Sequence, residues 1–564
     1  DCQKPPPPPP AGYQDGEKGK NRMWLFALLA AGTAGFLVSE FYWASPLQGS
    51  LNCNLLLVKV PASSADIPNS VPYLLIGGGT ASFSAFRAIK SHDPKAKVLM
   101  ITNEYYKPYM RPPLSKELWY HAQPGELPGD FRFKQWNGAE RSLFYEAEEF
   151  YVDPTKLMET ENGGIAVCQG YKVKKIDSIN QEVVLSDGKR IGYNKCLIAT
   201  GCTPKTLEVF ESAPRMVKEN ISKFRTPFDF EKLKKICDTK GSIVIVGSGF
   251  LGSELACALA QYGRQKYDQN VKIYQIFHES GNMAKVLPEY LSKWTTKQVE
   301  KQGVCVIPQA QVSEVSTVHN HIKLDLSNGQ SILTDHVVLC VGCEANTELA
   351  GPSGLEVDFK LGGFVVNSEL EARRHLFVAG DAACFYDPLL GRRRVEHHDH
   401  SVVSGRLAGE NMVGLRKPYT HQSMFWSDLG PHIGYEGIGI VDAALPTVGV
   451  FAKTSPEDLN RTESHLEAVS FQETEEKKEN EENKPAENVS DSNLSEAKMI
   501  KLKDVKKEDD NFGKGVIFYL KEGKVVGVLL WNVFNRINLA RQVISENKTY
   551  DDLNEVAKLF EIHS

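Results

Sequence analysis

Two glycine-rich turns carry the clearest chemical signal in the chain. The first covers residues 77–81 (Gly-Gly-Gly-Thr-Ala) and follows a short apolar run at residues 73–76. The second covers residues 247–252 (Gly-Ser-Gly-Phe-Leu-Gly), a complete G-x-G-x-x-G, and follows residues 243–246. Such turns let the backbone approach a pyrophosphate, which the amides at the N-terminus of the following helix then bind. The alternative is that both turns serve close packing only.

Two such turns in one chain predict two dinucleotides. The most economical assignment is a flavin held permanently at the first turn and a nicotinamide that comes and goes at the second. Each turn is followed by a strand pattern that ends beside an acidic residue, Glu104 or Glu279. A carboxylate there binds ribose hydroxyls and repels a 2′-phosphate, so Glu279 predicts a preference for NADH over NADPH. Lys285, a nearby cation, weakens this preference.

Two cations follow the first ribose-binding strand. Arg111 and Lys116 lie in a Pro-rich loop, Pro-Tyr-Met-Arg-Pro-Pro-Leu-Ser-Lys, where they can reach a flavin or its phosphates. The alternative is a solvated loop. A residue in a Pro-rich loop is a poor candidate for core packing, so we expect Lys116 to act in the chemistry.

Cys340 and Cys343 form a C-x-x-C motif, which a thioredoxin-like redox protein would also show. Here the motif ends an apolar strand pattern, and no cysteine lies between Gly77 and Lys116. A structural thiol pair is therefore the preferred interpretation. The chain has 11 cysteines without framework spacing, as is typical of reduced thiols. Electrons are then expected to stop at the flavin unless an outside acceptor takes them, and no metal site is predicted.

Composition limits the possible classes of protein. The 564 residues predict roughly three or four domains. The 41% hydrophobic and 24% charged residues are typical of globular proteins. A net charge of −6 gives no overall attraction to nucleic acid.

The start of the chain differs in composition from the rest. Residues 1–22 are Pro-rich and polar and are predicted to be disordered. Residues 23–43 carry one charge, Glu40, and close on three aromatic residues, which predicts a transmembrane helix. A signal-peptide core is the alternative. The basic residues precede this span, so the bulk of the chain is expected on the far side of the membrane. Residues 44–70 are a predicted linker.

The remaining chain predicts an α/β fold with two Rossmann-like domains, one inserted in the other. Strand and helix patterns alternate to about residue 414. The FAD-binding domain is predicted at residues 71–202 and 344–423, and the NAD-binding domain at residues 203–343. A C-terminal domain at residues 424–564 contains a hairpin pattern, two helical stretches and a disordered low-complexity insert at residues 455–511.

Long sequence strings narrow the class further. The strings are Pro-Tyr-Met-Arg-Pro-Pro-Leu-Ser-Lys-Glu-Leu-Trp (108–119), Arg-Phe-Lys-Gln-Trp-Asn-Gly (132–138), Gly-Arg-Arg-Arg-Val-Glu-His-His-Asp-His (391–400) and His-Gln-Ser-Met-Phe-Trp-Ser-Asp-Leu-Gly-Pro (421–431). With the two turns, they resemble the mitochondrial apoptosis-inducing factor family, whose members are FAD- and NAD-dependent flavoproteins. The resemblance covers about residues 71–451 and again residue 513 to the C-terminus.

The resemblance implies two sets of cofactor-binding residues. Those that fall where the family contacts FAD are Gly77, Gly78, Gly79, Thr80, Ala81, Glu104, Arg111, Lys116, Val173, Arg225, Asp381, His397 and His398. Those that fall where it contacts NAD are Ser248, Gly249, Phe250, Leu251, Glu279, Lys285, Gly342, Glu396, Glu436, Trp136, Trp426 and Asn532. The catalytic candidates are Lys116, its partner Glu254, the flavin-stacking aromatic Phe250, and His397.

Three residues depart from the family pattern. Asn103, kept as a cofactor-binding candidate, stands where the family has a glutamate, so ribose anchoring falls to Glu104 or is weakened. Cys202 stands where the family has a glycine. Val365 replaces an arginine that the family uses, together with a glutamate matched here by Glu356, in NADH-induced dimerisation. This last change argues against a homodimer.

The resemblance implies two hypotheses on function. In the first, the protein is anchored in the mitochondrial inner membrane, faces the intermembrane space and transfers hydride from NADH to FAD, forming a long-lived reduced flavin–NAD complex. The family further implies support of respiratory-chain biogenesis and, after release to cytosol and nucleus, caspase-independent apoptosis with sequence-independent DNA binding, here through residues 392–394 and 172–175. In the second, the NADH-reduced state signals by recruiting a disulfide-import oxidoreductase of that space, with little turnover.

Overall fold

A computed structural model of the chain describes residues 58–120, 122, 131–135, 138–239, 241–266, 271–430, 433–452 and 512–562. Four predictions lie outside these residues: the disordered N-terminus 1–22, the transmembrane span 23–43, the NAD contact Trp136 and the insert 455–511. None of the helices in the described part combines the length and the apolar character that a bilayer crossing requires.

The first part of the chain forms most of one sheet and the helix that crosses it. Its elements are β1 Ser70–Ile76, α1 Thr80–His92, β2 Lys97–Thr102, α2 Glu117–Tyr120, β3 Arg132–Lys134, β4 Glu140–Ser142, β5 Gly164–Gln169, β6 Val173–Asp177, β7 Glu182–Leu185, β8 Arg190–Ile198 and β9 Cys202–Pro204. Short 3₁₀ helices lie at Ser64–Asp66, Pro112–Ser115, Glu148–Phe150 and Pro154–Glu159. Within the predicted linker, Val60 exchanges backbone hydrogen bonds with Gln169 at 3.1 and 2.9 Å.

The middle of the chain forms a second unit of the same kind. Its elements are α3 Glu208–Glu211, α4 Arg215–Glu219, β10 Ile221–Lys223, α5 Pro227–Thr239, β11 Ser242–Val246, α6 Phe250–Lys266, β12 Lys272–Ile276, α7 Glu289–Lys301, β13 Val304–Ile307, β14 Val312–Val318, β15 His321–Leu326, β16 Ser331–Thr334 and β17 His336–Leu339.

The rest of the chain returns to the first unit and then forms the C-terminal sheet. The elements are β18 Cys343–Ala345, α8 Ala350–Ser353, β19 Phe364–Val365, β20 Glu371–Arg373, β21 Leu376–Val378, a 3₁₀ turn Gly380–Ala382, β22 Ala383–Asp387, β23 Gly391–Arg393, α9 His398–Met412, β24 Met424–Asp428, β25 Gly434–Gly439, β26 Thr447–Phe451, β27 Gly515–Lys521, β28 Lys524–Trp531, α10 Ile537–Ser545 and α11 Leu553–Lys558.

The first sheet has the strand order β20-β21-β8-β1-β2-β5, with β7 pairing β8 and β6 at its side. The central pairs β21/β8, β8/β1, β1/β2 and β2/β5 are parallel. The apolar run of β1 fits this position because helices cover a parallel sheet on both faces; Leu74 and Leu75 are fully buried. The predicted strand before the first glycine turn is therefore confirmed.

The second sheet has the order β10-β17-β11-β12-β13, and all four of its pairs are parallel. It carries the small antiparallel sheet β14-β15-β16 between β13 and β17. The chain enters this unit through β9 and leaves it through β18, which pair with each other in antiparallel register. The predicted α/β architecture with one dinucleotide unit inserted in the other is thus present in the described residues.

The C-terminal sheet is antiparallel, in the order β24-β25-β28-β27-β26. Its central hairpin β27/β28 turns at Glu522 and Gly523, where the sequence pattern predicts it. The apolar side of α10 packs on this sheet through Ala540, Val543 and Ile544. Strand β24 of this sheet reaches back toward α6 and α9, so the C-terminal sheet contributes residues to the site described next.

Candidate active site between two dinucleotide folds

Both glycine turns open into one cavity of about 1360 Å³. Residues 77–81 and 247–251 line its wall, together with the strand ends at residues 199–201 and 339–343. Pockets for a single small ligand measure about 300–1,000 Å³, so this cavity is large enough for more than one ligand. The two ligands that the sequence predicts would therefore share one space.

The two turns have the same backbone geometry. Gly77 has a φ of +112° and Gly247 a φ of +124°. A Cβ atom would lie 2.1 Å from the Ala199 carbonyl oxygen at Gly77, and 2.2 Å from the Cys340 carbonyl oxygen at Gly247. Only glycine meets both requirements, because the conformation is strained for other residues and the neighbouring backbone leaves no room. Each turn thus packs directly against the backbone at the end of a neighbouring parallel strand, β8 for Gly77 and β17 for Gly247.

The next glycine of each turn faces open space. A Cβ atom built on Gly79 or Gly249 meets no heavy atom within 4 Å. Gly79 caps α1 and Gly249 directly precedes α6, so this space lies at two helix N-termini. Backbone amides at such a position favour a pyrophosphate. The cavity therefore fits two dinucleotides, as the sequence predicts.

Glu104 lies at the end of the first ribose-binding strand, but its carboxylate already has protein partners. Arg111 donates to it at 2.8 Å and the Tyr109 hydroxyl at 2.7 Å. Burial acts to raise the pKa of Glu104, yet the Arg111 charge and these hydrogen bonds hold it below its usual range. Asn103, in contrast, is exposed at the cavity wall. The pair Glu104–Arg111 thus forms a charged, prearranged edge of the cavity.

A second ion pair continues this edge. Arg225 donates to Asp381 at 3.1 Å, and Arg111 donates to the Arg225 carbonyl oxygen at 2.8 Å. Burial opposes the charge of Asp381, but Arg225 and a hydrogen bond from Cys202 keep its pKa below the ordinary value. Asp381 therefore stays ionised as an acceptor at the cavity wall.

Glu279 occupies the corresponding place in the second unit. Its carboxylate accepts a hydrogen bond from the Ser248 hydroxyl at 3.0 Å, and Lys285 lies 3.9 Å away. Its side chain is 15% exposed, whereas that of Lys285 is 81% exposed. The carboxylate is thus fixed beside the second turn, and the cation is not.

Lys116 and Glu254 form a buried ion pair, with a distance of 3.1 Å and both side chains 6% exposed. Ser115 and Ser427 each donate a hydrogen bond of 2.7 Å to the Glu254 carboxylate. Burial opposes the ammonium charge, but Glu254 and Asp428 raise the pKa of Lys116 above its usual value. The expectation that Lys116 is a poor candidate for core packing is wrong, because Lys116 is buried.

Lys116 is the centre of an acidic cluster made of Glu117, Glu254 and Asp428. Burial, together with the charges of Glu254 and Glu117, raises the pKa of Asp428 to about 7. Burial also raises the pKa of Glu436 to about 7, with Asp428 adding to it. A proton shared within this cluster is available near neutral pH, close to the ion pair.

Aromatic rings close the same end of the cavity. The Phe250 ring lies 5.1 Å from that of Phe425 and 5.9 Å from the imidazole of His397. His397 stacks on Phe425 at 4.8 Å. Burial lowers the pKa values of His397 and His398 to about 4, so both imidazoles are neutral at physiological pH.

The Asp428 pKa predicts an unusual dependence of stability on pH. Between about pH 4 and 7 the folded protein holds a proton on Asp428 that the unfolded chain has lost, so the contribution of Asp428 to the free energy of unfolding falls as pH rises. We expect Asp428→Asn to gain stability relative to the wild type over this range, at up to about 1.4 kcal/mol per pH unit. Urea unfolding at several pH values measures the difference in the free energy of unfolding between the variant and the wild type. The buried histidines contribute equally to both proteins and therefore cancel in this difference.

The exposed Asp551 provides the matched control, since Asp551→Asn should track the wild type at every pH. A constant difference between Asp428→Asn and the wild type from pH 4 to 8 would contradict the assignment.

The basic stretch at residues 392–394 is only in part exposed, because Arg392 is exposed whereas Arg393 and Arg394 are half-buried. Arg393 donates to the Gly439 carbonyl oxygen at 2.7 Å, and Arg394 to that of Leu361 at 2.8 Å. Their side chains are 16% and 15% exposed and line the cavity. The exposed basic patch that residues 392–394 can offer is therefore smaller than the sequence predicts.

The interpretation of Cys340 and Cys343 as a thiol pair also needs correction. The Cys343 thiol lies 2.9 Å from that of Cys202, a residue 141 positions earlier. Cys340 is buried in a hydrophobic core, where burial raises its pKa to about 12. The two cysteines of the motif thus have different surroundings.

The cavity brings together most of the predicted site residues. Those that line it are Gly77, Gly78, Gly79, Thr80, Ala81, Asn103, Glu104, Arg111, Lys116, Arg225, Ser248, Gly249, Phe250, Leu251, Glu254, Glu279, Lys285, Gly342, Asp381, Glu396, His397, His398 and Trp426. Val173, Glu436 and Asn532 are not part of this lining, and Asn532 instead accepts a hydrogen bond from the Gly434 amide at 2.8 Å. Their cofactor contacts stay predictions.

The structure adds residues that the sequence did not single out, namely Tyr109, Ser115, Phe425, Ser427 and Asp428. Tyr109 and Ser115 lie within the Pro-rich string at residues 108–119, so the sequence contained a signal that could have identified them. Strand β24 supplies Phe425, Ser427 and Asp428. Ser427 donates to Glu254, a residue 173 positions earlier in the chain. Only the fold brings this strand to the site.

Together these features define a two-dinucleotide oxidoreductase: two helix N-termini face one cavity, which a buried ammonium–carboxylate pair and stacked aromatic rings close at one end. Known families agree with this class. Residues 71–405 match the pyridine nucleotide-disulphide oxidoreductase family, and residues 408–546 match the family described as apoptosis-inducing factor, mitochondrion-associated, C-term.

Individual relatives indicate which branch of these families the chain resembles. The chain is 60% identical over 509 residues to the putative apoptosis-inducing factor 1, mitochondrial, of Drosophila melanogaster, covering 90% of this chain and 68% of that protein. It is 36% identical over 494 residues to apoptosis-inducing factor 1, mitochondrial, of Dictyostelium discoideum, covering 86% and 80%. The crystal structure of the ferredoxin reductase for the CYP199A2 system of Rhodopseudomonas palustris shares the fold, with a TM-score of 0.63, 21% identity and coverage of 87% and 100%.

The chain therefore belongs to the apoptosis-inducing factor family of pyridine nucleotide-disulphide oxidoreductases. It is an FAD-dependent NAD(P)H oxidoreductase with FAD and NAD(H) as its cofactors.

Proposed function

We propose that the chain oxidises NADH at the second glycine turn and that the hydride passes to FAD held at the first. The observation that carries this proposal is the single cavity into which both turns open, with the Lys116–Glu254 ion pair in its wall. When bound, FAD supplies the ring that accepts the hydride. The protein contributes binding, orientation and charge.

Lys116 has the main electrostatic role in this proposal. Its ammonium group is kept charged by Glu254 and Asp428 and is held in place by the ion pair. A fixed positive charge in a buried site stabilises negative charge that develops during reduction. Ser115 and Ser427 hold the Glu254 carboxylate from two sides, so the ammonium group keeps one position. Phe250 and His397 form the aromatic wall against which a flat ring can stack.

The two predicted binding sets are assigned accordingly. Residues 77–81, Glu104, Arg111, Arg225 and Asp381 would hold FAD, and residues 248–251 and Glu279 would hold NADH. The shared cavity supports this division, because each set surrounds its own helix N-terminus.

Glu279 predicts the choice between nicotinamide cofactors. We expect NADH to reduce the protein faster than NADPH, because the carboxylate beside Ser248 binds a 2′-hydroxyl and repels a 2′-phosphate. Glu279→Ser should reduce this preference by about 10-fold or more, the equivalent of about one charge-assisted hydrogen bond. Stopped-flow reduction with each cofactor measures the ratio; Glu300→Ser, at an exposed glutamate of α7, is the control. Equal rates of the wild type with NADH and NADPH would contradict the assignment.

The electron acceptor decides between turnover and signalling. Steady-state oxidation of NADH with a quinone and with a ferredoxin as acceptors, beside single-turnover reduction without acceptor, separates the two. Sustained turnover supports an oxidoreductase that feeds an electron carrier. Stoichiometric reduction followed by a long-lived complex of reduced flavin and NAD supports a signalling protein whose reduced state recruits a disulfide-import oxidoreductase.

The cellular setting is proposed from the relatives and from residues 23–43. Both curated relatives above carry the word mitochondrial in their names. We place the chain in mitochondria, anchored in the inner membrane by residues 23–43 and facing the intermembrane space. There it would support respiratory-chain biogenesis and, after release, caspase-independent apoptosis. Protease protection of intact mitochondria and mitoplasts tests this placement.

Binding of DNA after release has weaker support. With Arg393 and Arg394 in the cavity wall, the remaining exposed basic residues of the predicted patch are Arg392, Lys172, Lys174 and Lys175. Such binding would ignore sequence and weaken steeply with salt. An NADH-induced homodimer is not proposed, since Val365 stands at the position of the expected arginine.

A further inference from the structure

Cys202 and Cys343 bring two thiols into contact where the two dinucleotide units join. They lie on β9 and β18, the short antiparallel pair between the sheets, where Cys202 faces Ala345 and Cys343 faces Pro204. This register puts both cysteines on one face of the ribbon. Their sulfur atoms are 2.9 Å apart, inside van der Waals contact and one step from a covalent bond of about 2.05 Å.

Each thiol also has a carboxylate within hydrogen-bonding distance. Cys343 donates to Glu396 at 2.8 Å, and Cys202 donates to Asp381 at 3.2 Å. Arg394 holds Glu396 at 2.6 Å and Arg225 holds Asp381 at 3.1 Å. Each thiol is thus held in place by a hydrogen bond to a carboxylate that an arginine fixes.

The two thiols differ in access. Cys202 is buried, with 4% of its surface exposed, whereas Cys343 is half-buried and lines the cofactor cavity. An incoming reagent therefore meets Cys343 first, and Cys202 can only act on a group that Cys343 already carries. This is the arrangement of an attacking and a resolving cysteine.

A metal ion is the other ligand that Cys202, Cys343 and Glu396 could hold together. Two thiolates bound at about 2.3 Å to a tetrahedral ion lie about 3.8 Å apart, well beyond the separation observed here. The guanidinium groups of Arg225 and Arg394 also pair with the carboxylates beside the thiols and repel a cation. The geometry therefore favours sulfur–sulfur bond formation.

We propose that Cys202 and Cys343 form a reversible dithiol–disulfide couple that reacts with low-molecular-weight disulfides. The Cys343 thiolate attacks a disulfide R–S–S–R, forming a mixed disulfide and releasing one R–S⁻. The Cys202 thiolate then attacks the Cys343 sulfur, forming the Cys202–Cys343 bond and releasing the second R–S⁻. The two cysteine protons end on the two released R–S⁻ groups, which leave as R–SH. Two electrons pass from the protein thiols to R–S–S–R.

Oxidation would act on the cofactor cavity through the same contacts. The disulfide removes the thiol donors from Asp381 and Glu396, both of which line the cavity. It also links β9 to β18, the strands by which the chain enters and leaves the second unit. The couple is therefore independent of hydride transfer but placed to influence the affinity for both dinucleotides.

Oxidised glutathione, added to the purified yellow protein, is the probe. We expect the loss of two more thiols per chain than in the double variant Cys202→Ser with Cys343→Ser, a peptide pair linked through Cys202 and Cys343 in mass spectra, and recovery of both thiols with dithiothreitol. In Cys202→Ser the reaction should stop with one glutathionyl group on Cys343. In Cys343→Ser the buried Cys202 should stay reduced. Cys305→Ser, which changes another half-buried cysteine, is the matched control and should react like the wild type.

Three results would overturn the proposal. The first is an unchanged thiol count in the folded wild type together with unmodified Cys343 in Cys202→Ser. The second is a bond that joins either cysteine to a different partner. The third is zinc that copurifies in stoichiometric amount and is lost in both serine variants. Because FAD content and reduction by NADH are measured on the same samples, failure of this couple is distinguishable from failure of the proposed function.

Discussion

Gly79→Ala and Gly249→Ala should separate the two cofactors. A Cβ atom at either position meets no protein atom within 4 Å, so the fold accommodates the methyl group. The same methyl group enters the space where the backbone must approach a pyrophosphate. We expect Gly79→Ala to fold but to lose most of its FAD. Gly249→Ala should keep its FAD and be reduced by NADH roughly 10- to 100-fold more slowly, since overpacking costs about 1–3 kcal/mol.

Absorbance at the flavin maximum, circular dichroism and stopped-flow reduction measure these effects. Gly351→Ala serves as the matched control, because this glycine also has open space around it and no left-handed φ but lies away from the cavity. If Gly249→Ala lost FAD while Gly79→Ala kept it, the assignment of the two turns would be reversed. If neither variant changed either property, the turns would serve packing only.

Lys116→Met should slow reduction of the flavin by NADH by about 10²- to 10³-fold, the usual effect of losing one prearranged electrostatic group. Methionine retains the length of the side chain but not the charge. The buried position adds a second effect, because Glu254 is left unpaired beside Glu117 and Asp428. Loss of one partner from a buried ion pair costs about 3–5 kcal/mol, so the free energy of unfolding should fall as well.

The double variant Lys116→Met with Glu254→Gln separates these two effects. It removes the uncompensated carboxylate, so stability should recover toward the wild type while reduction stays slow. Lys360→Met, at an exposed lysine, should change neither property. Recovery of fast reduction in the double variant would show that Lys116 acts only by neutralising Glu254.

The sequence predicted the parts of the site that depend on local structure. The two glycine turns, the strands before them and the carboxylates after the second strands are set by residues close in the chain, and the structure has them in these places. Positions 77 and 247 require glycine for the same physical reason. Each has a positive φ and lies against a neighbouring carbonyl group that leaves no room for a Cβ atom.

The predictions that needed distant contacts were less accurate. The Pro-rich loop suggested that Lys116 does not pack in a core, yet Lys116 is buried and the carboxylates of Glu254 and Asp428 lie close to it. Cys343 was paired with Cys340 because they are near in sequence, whereas the ribbon β9/β18 brings Cys202 to it. The run of positive charge at Arg393 and Arg394 suggested a surface patch. Their hydrogen bonds to distant backbone carbonyl groups, which draw them into the cavity wall, cannot be predicted from the local sequence.

Anaerobic titration of the purified protein with NADH tests the central claim most directly. The central claim is that one chain holds FAD at the first turn and accepts a hydride from NADH bound at the second. We expect a yellow protein with one FAD per chain, whose flavin absorbance is bleached by one equivalent of NADH. A well-folded colourless protein, or a yellow protein whose flavin NADH does not reduce, would contradict this account.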